Sequence, residues 1–172
     1  MTIVWFTGLP CSGKTTVADA VAERLRERGV RVERLDGDII RTHLSKDLGF
    51  SREDRDENLK RVGFVSNLLS RNGVIVLASF VSPYRDVRDK IRSDAGDRFL
   101  EVFVDCPVSE CMNRDVKGMY KKALNGYIKG FTGVDDPYEA PLNPELVLNT
   151  NIESLDESVN KVVSKLEERG VV

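Results

Sequence analysis

The chain has 172 residues, 41% hydrophobic and 31% charged, with a net charge of −2, so it can enclose a core and carries both signs of charge along its length. This balance excludes a bulk-cationic nucleic-acid binder, and no apolar run approaches the ~20 residues needed to span a bilayer. Cys11, Cys106 and Cys111 lack C-x-x-C spacing and predict reduced thiols in a cytoplasmic protein, and the lone His43 cannot build a metal site.

Residues 3–6 read as a short apolar strand, with neither the basic flank nor the cleavage site of a signal peptide. A glycine loop follows, then a helix over 16–28 with Val17, Val21, Ala22 and Leu25 inward and Gly29 at its end. A second strand over 30–35 runs into Asp36-Gly37-Asp38, and 39–44 forms a short helix that puts His43 on the surface. Ser51 caps a long helix reaching about residue 70, with Leu59, Val62, Val65, Leu68 and Leu69 inward. The apolar run 74–78 predicts a parallel strand covered on both faces, and Pro83 the first position of the next helix. Residues 99–104 give a fourth strand and 108–117 a helix. From 118 to 144 no period persists, and glycines, prolines, lysines and aromatics together predict a functional lid. A fifth strand over 145–149 precedes a helix capped by Ser154, with Leu155, Val159, Val162, Val163 and Leu166 inward. Alternating strands and helices in one domain over 1–172 predict an α/β fold with a parallel sheet.

Gly8-Leu9-Pro10-Cys11-Ser12-Gly13-Lys14-Thr15 fits G-x-x-x-x-G-K-[ST] between a strand and a helix, the setting of a phosphate-binding P-loop. The backbone amides of such a loop surround a phosphate, and the helix that starts there, with Thr16 in its first turn, adds its positive end. Lys14 would reach the β/γ-phosphate oxygens of ATP and the Thr15 hydroxyl would ligate Mg²⁺. Asp36 and Asp38, beyond a strand, suit a magnesium water shell or acceptance of a proton from an attacking hydroxyl. Arg55 and Asn58 share a helix face and, with Arg41, could bind a further anion. Lys117, Lys121, Lys122 and Lys129 suit a lid that closes on phosphates.

The choice of acceptor comes from longer stretches. Leu35-Asp36-Gly37-Asp38, Leu48-Gly49-Phe50-Ser51, Glu57-Asn58 and Ser79-Phe80-Val81-Ser82-Pro83-Tyr84-Arg85 stand in one order with the run from Arg114 to Ala123 and the run from Lys129 to Pro141. In that order the chain resembles the adenylylsulfate kinases from residue 3 to about 150. The resemblance implies a three-layer P-loop NTPase fold with five parallel strands in order 2-3-1-4-5 and a mobile lid over about 115–142. It implies transfer of the ATP γ-phosphoryl to the 3′-hydroxyl of adenosine 5′-phosphosulfate, a step of sulfate assimilation.

Carried over by position, Asp38 is the base or orienter of that hydroxyl, supported by Asp36. Arg41, Arg55 and Asn58 hold the phosphosulfate and ribose, and Phe50 and Phe131 sandwich the adenine. Lys117 and Lys129 belong to the lid, and Arg114 stacks on the adenine of ATP. Ser82 stands where the family is sometimes given a phosphoserine intermediate; in-line transfer needs no protein nucleophile, and Ser82 with the Val81 backbone could instead hydrogen-bond the substrate. The resemblance further implies a homodimer and possible association with ATP sulfurylase. Competing readings are a P-loop kinase for another small hydroxyl acceptor, such as a nucleoside monophosphate or gluconate, and a catalytically silent nucleotide-binding protein.

Overall fold

Ile3, Val4, Trp5 and Phe6 are wholly buried because their strand, β1 (Ile3–Thr7), is the middle of a five-stranded sheet. The computed structural model describes residues 1–172. The other strands are β2 (Val32–Asp36), β3 (Ile75–Ser79), β4 (Phe99–Asp105) and β5 (Leu146–Asn149), all parallel, in the order β2-β3-β1-β4-β5. This is the order the resemblance implied. Side chains alternate across β1, so the sheet has two cores. Val4 and Phe6 meet α1 (Lys14–Glu27) and α7 (Leu155–Glu168) on one face. Ile3 and Trp5 meet α3 (Arg52–Arg71) and α4 (Arg85–Ala95) on the other. The remaining helices, α2 (Gly37–His43), α5 (Val108–Arg114) and α6 (Met119–Leu124), lie beyond strand ends. No helix is long and apolar enough to cross a membrane.

The predicted elements are all present, with local corrections. Strand β2 starts two residues late because Val30 N–H still bonds the Leu25 carbonyl at 3.0 Å as α1 ends. The buried face of α3 runs through Leu59, Val62, Gly63, Ser66 and Ser70, while Val65, Leu68 and Leu69 are half-buried. Gly63 admits α4: a Cβ there would lie 2.9 Å from Ile91. Ser66 fits beside it because its hydroxyl donates to the Val62 carbonyl at 2.7 Å. Pro83 precedes the N-cap of α4, Tyr84, rather than opening the helix.

Helix α5 ends before Lys117, and the stretch expected to be unpatterned contains α6. The Asp115 carboxylate starts α6 by accepting the Tyr120 and Lys121 N–H groups at 3.0 Å each. Leu155, expected inward, is 44% exposed at the first residue of α7, which Ser154 and Glu157 close with a reciprocal cap. His43 is exposed, as expected, and all three cysteines are free.

Candidate active site

The carboxyl ends of the strands converge on one side of the sheet, as open parallel sheets require of their binding crevices. Strand β1 delivers Gly8 at φ +157°, and a Cβ there would sit 2.5 Å from the Val104 carbonyl oxygen of β4. Gly13 then turns the chain into α1 at φ +100°. The Lys14 ammonium folds back over this loop, donating to the carbonyls of Gly8 at 3.0 Å and Leu9 at 2.6 Å. Burial lowers it from the usual 10.5 to about 8. It has dipoles around it and no carboxylate in contact, which is the environment a phosphate would complete. Cys11 is half-buried at φ +62°, against an apolar group that includes Cys106, Cys111 and Tyr120.

Arg114 braces the same loop. Its Nη1 reaches the Cys11 and Ser12 carbonyls at 3.5 and 3.4 Å, its Nη2 the Thr150 carbonyl at 2.8 Å, and its Nε Glu110 at 3.1 Å. Thr150 adds a hydroxyl bond to Ser12 at 2.6 Å. No protein ring covers the planar face of Arg114.

A polar chain leads from the loop through the start of α2 to Lys117. Thr15 Oγ1 donates to Asp36 Oδ2 at 3.1 Å, and Asp36 Oδ1 caps α2 by accepting the Asp38 N–H at 3.0 Å. Asp38 itself is exposed and paired with Lys117. No group of three or more His, Cys, Asp or Glu converges on a metal-sized site. Arg41 donates to the Gly49 carbonyl at 2.5 Å and stands 4.7 Å over the ring of Phe50, which is 73% exposed. Burial, then the nearby Arg55 charge, lowers the Arg41 pKa. Arg55 reaches across to the segment expected to be a lid, bonding Asp136 at 3.1 Å, Thr132 at 3.4 Å and the Gly130 carbonyl. Asn58 is buried, and its Oδ1 has no hydrogen-bond partner. Phe131 packs edge-to-face with Tyr120 at 5.0 Å between centroids, whereas Phe50 is held by Arg41. Lys129 is exposed without an acidic partner.

Ser82 is 2% exposed and sits at φ +41°, a costly conformation for a residue other than glycine. Its hydroxyl accepts from Trp5 Nε1 at 3.1 Å and donates to Thr7 Oγ1 at 3.0 Å. Thr7 in turn donates to the Val81 carbonyl at 2.9 Å and contacts the Tyr138 hydroxyl at 2.8 Å. No carboxylate or imidazole touches the Ser82 hydroxyl, so nothing beside it can serve as a base.

The side chains that hold this end together carry no motif in the sequence. Arg88 is buried, with Nε on Glu101 at 2.9 Å, Nη1 on the Ser82 carbonyl and Nη2 on the Glu139 carbonyl at 2.6 Å. The available signal was positional: Arg88 falls in the stripe Tyr84, Val87, Ile91, Ala95, and Glu101 interrupts the apolar run of β4. At the opposite end of the sheet, a depression lined by Arg92, Arg98 and Arg169 has those arginines already bonded within the protein.

The chain is similar to known proteins along nearly its whole length. The adenylylsulphate kinase family model matches residues 1–149. An adenylyl-sulfate kinase of Picosynechococcus is 59% identical over 169 residues, covering 98% of this chain and 95% of that one. One from Halothermothrix orenii is 54% identical over 98% of this chain and 91% of its own. Among solved structures, the APS kinase of Mycobacterium tuberculosis in complex with AMPPNP and APS superposes with a TM-score of 0.92 at 46% identity, over 96% of this chain and 97% of that one. A gluconokinase of Sinorhizobium meliloti, 21% identical with a TM-score of 0.64 over 97% of this chain and 92% of its own, shares the fold.

Proposed function

This chain belongs to the adenylylsulphate kinase family, and we propose a division of that reaction among the residues described above. The enzyme transfers the γ-phosphoryl group of ATP to the 3′-hydroxyl of adenosine 5′-phosphosulfate (APS), giving 3′-phosphoadenosine 5′-phosphosulfate. The observation that carries the division is the chain Thr15–Asp36–Asp38–Lys117, which joins phosphate loop, acceptor side and lid.

ATP lies along Gly8 to Thr16, with loop amides and Lys14 on its phosphates. The buried Lys14 ammonium gains the counter-charge it lacks, and spreads the charge that develops on the γ-phosphoryl group. The planar face of Arg114 is left for the adenine, while its edge holds the loop in shape. Thr15 Oγ1 and Asp36 Oδ2 are hard oxygens 3.1 Å apart, a donor set that fits Mg²⁺. When bound, magnesium would neutralise phosphate charge, with Thr15 as ligand and Asp36 in its water shell.

Asp38 orients the 3′-hydroxyl and receives its proton as transfer proceeds. Lys117, released from Asp38, and the exposed Lys129 would move toward phosphate as the lid closes. Arg41, Arg55 and Asn58 take the phosphosulfate and ribose, Asn58 using its unpartnered Oδ1 for a hydroxyl donor. Phe50 and Phe131 take the two faces of the adenine, with Phe50 swinging away from Arg41. The Val81–Ser82 backbone lines the site, and the Ser82 hydroxyl keeps that turn in place and is not phosphorylated.

The test is ADP release with ATP and APS supplied together. No turnover above background from folded protein overturns the division and the activity alike; turnover with gluconate or a nucleoside monophosphate instead would move the acceptor. We further propose a homodimer in a reducing, cytoplasmic compartment, on the resemblance and the three free thiols. Gel filtration, alone and with ATP sulfurylase, tests the dimer and that association.

A further inference from the structure

The geometry points to Asp136 as a positioning residue that holds Arg55 for the acceptor substrate, an inference that rests on the reading of Arg55 just given. Asp136 lies in the lid, and its carboxylate gathers donors from three separate elements. Arg55 Nη1, from the first turn of α3, is 3.1 Å from Oδ2. The Tyr84 hydroxyl, from the N-cap of α4, is 3.0 Å from each carboxylate oxygen. Thr132 Oγ1, within the lid, is 3.5 Å from Oδ2. The Asp136 backbone is fixed as well, its carbonyl accepting the Gly133 N–H at 2.9 Å. Tyr84 is itself buried, with Arg52 stacked 4.2 Å from its ring, so the carboxylate rests on a fixed support.

Three consequences follow for Arg55. Its two terminal nitrogens are held by Asp136, Thr132 and the Gly130 carbonyl, and its Nε–H makes no hydrogen bond within the protein. That donor is left for an incoming anion. A free arginine loses much rotamer freedom on binding an anion, and one already held in place has lost it beforehand. Arg55 also faces the charge of Arg41, and Asp136 offsets that repulsion while the site holds no substrate. The side chains of Arg55 and Asp136 are only 16% and 20% exposed, so solvent screens the pair weakly.

Asp136→Asn keeps the shape and removes the charge. Initial rates measured against each substrate separately should show KM for APS rising about tenfold, with kcat and KM for ATP within about twofold. Tyr84→Phe should shift KM for APS in the same direction by a smaller factor, and serves if Asp136→Asn fails to fold. Arg55→Ala should raise KM for APS further, and adding Asp136→Asn to it should change nothing more. If Arg55→Ala leaves KM for APS unchanged, Arg55 does not bind the acceptor and both readings fall. If Arg55→Ala raises it but Asp136→Asn leaves it unchanged or lowers it, positioning by Asp136 is overturned, a lower value meaning that the carboxylate competes with the substrate. An equal effect of Asp136→Asn with and without Arg55 also overturns it, because the carboxylate then acts elsewhere.

Discussion

The ammonium of Lys117 rests on the carboxylate of Asp38, so a residue three beyond the end of α5 meets the first turn of α2 across 79 positions of sequence. Both side chains are more than half exposed, so the pair contributes only ~0–1 kcal/mol to stability. Its importance lies in exchange: each partner has a proposed role that begins when the other lets go. Asp38→Asn should therefore lower kcat by about 100-fold or more while KM for ATP stays within about twofold. Lys117→Met should lower kcat without moving the thermal midpoint. Steady-state rates and a melting curve check both, and an unchanged kcat for Asp38→Asn removes Asp38 from its role.

Gly8 and Gly29 both adopt positive φ, yet they should respond differently to a methyl group. At Gly8 a Cβ collides with the Val104 carbonyl at 2.5 Å, so β1 and β4 must part or the loop must refold. At Gly29, φ +75°, nothing lies within 4 Å. Gly29→Ala should cost only ~1–2 kcal/mol of backbone strain and leave nucleotide binding intact. Gly8→Ala should cost more and abolish the rise in melting temperature that ADP should produce in the parent. Equal costs for the two would mean that the loop relaxes freely around residue 8.

The sheet and the phosphate loop were legible because their signals are local: apolar strands with two buried faces, and glycines at fixed offsets. Helix α6 was not, because its six residues bury only Tyr120 and Ala123, too few for a period to register among lysines. Ser66 and Ser70 do not read as core residues because composition does not reveal that a serine can satisfy its hydroxyl on its own helix. Leu155 reads as inward because an apolar residue beside a cap resembles the start of a stripe, yet it is 44% exposed. The carboxylate of Asp136 and the guanidinium of Arg88 depend on partners from distant elements, which a single sequence does not pair. The residues themselves are visible at the candidate site, but their contacts are not: the resemblance implies a stacking surface at Arg114, whereas the contacts it makes within the protein are those of a brace.

Acid should weaken the protein partly through Glu145. Burial alone would raise its pKa, but hydrogen bonds from Arg92 and from the Glu101 N–H hold it below the usual 4.5. A carboxylate whose folded pKa lies below its unfolded one stabilises fully above about 4.5, and that contribution disappears as pH falls through the lowered value. Glu145→Gln should then be less stable than the parent at pH 7 and lose less on acidification. Urea midpoints between about pH 3 and pH 7 measure this, and parallel curves for the two proteins would remove Glu145 from the acid limb.

Arg88 and Glu101 form a buried pair, 2% and 6% exposed, and their losses should not be equal. Arg88→Met leaves Glu101 with Arg92 at 2.9 Å, whereas Glu101→Leu leaves Arg88 with carbonyl dipoles and no counter-ion. Breaking such a pair typically costs ~3–5 kcal/mol, so Glu101→Leu should fall at the upper end and Arg88→Met at or below the lower. The double variant should cost less than the sum of the two, since neither charge is then stranded. Arg88→Met has a second effect because Arg88 holds the Ser82 carbonyl and the Ser82 hydroxyl accepts from Trp5 Nε1 at 3.1 Å. Trp5 is the only tryptophan, so its emission should shift in Arg88→Met. An unshifted emission together with a loss of stability would mean that Arg88 serves the core and leaves the residue 81–82 turn untouched.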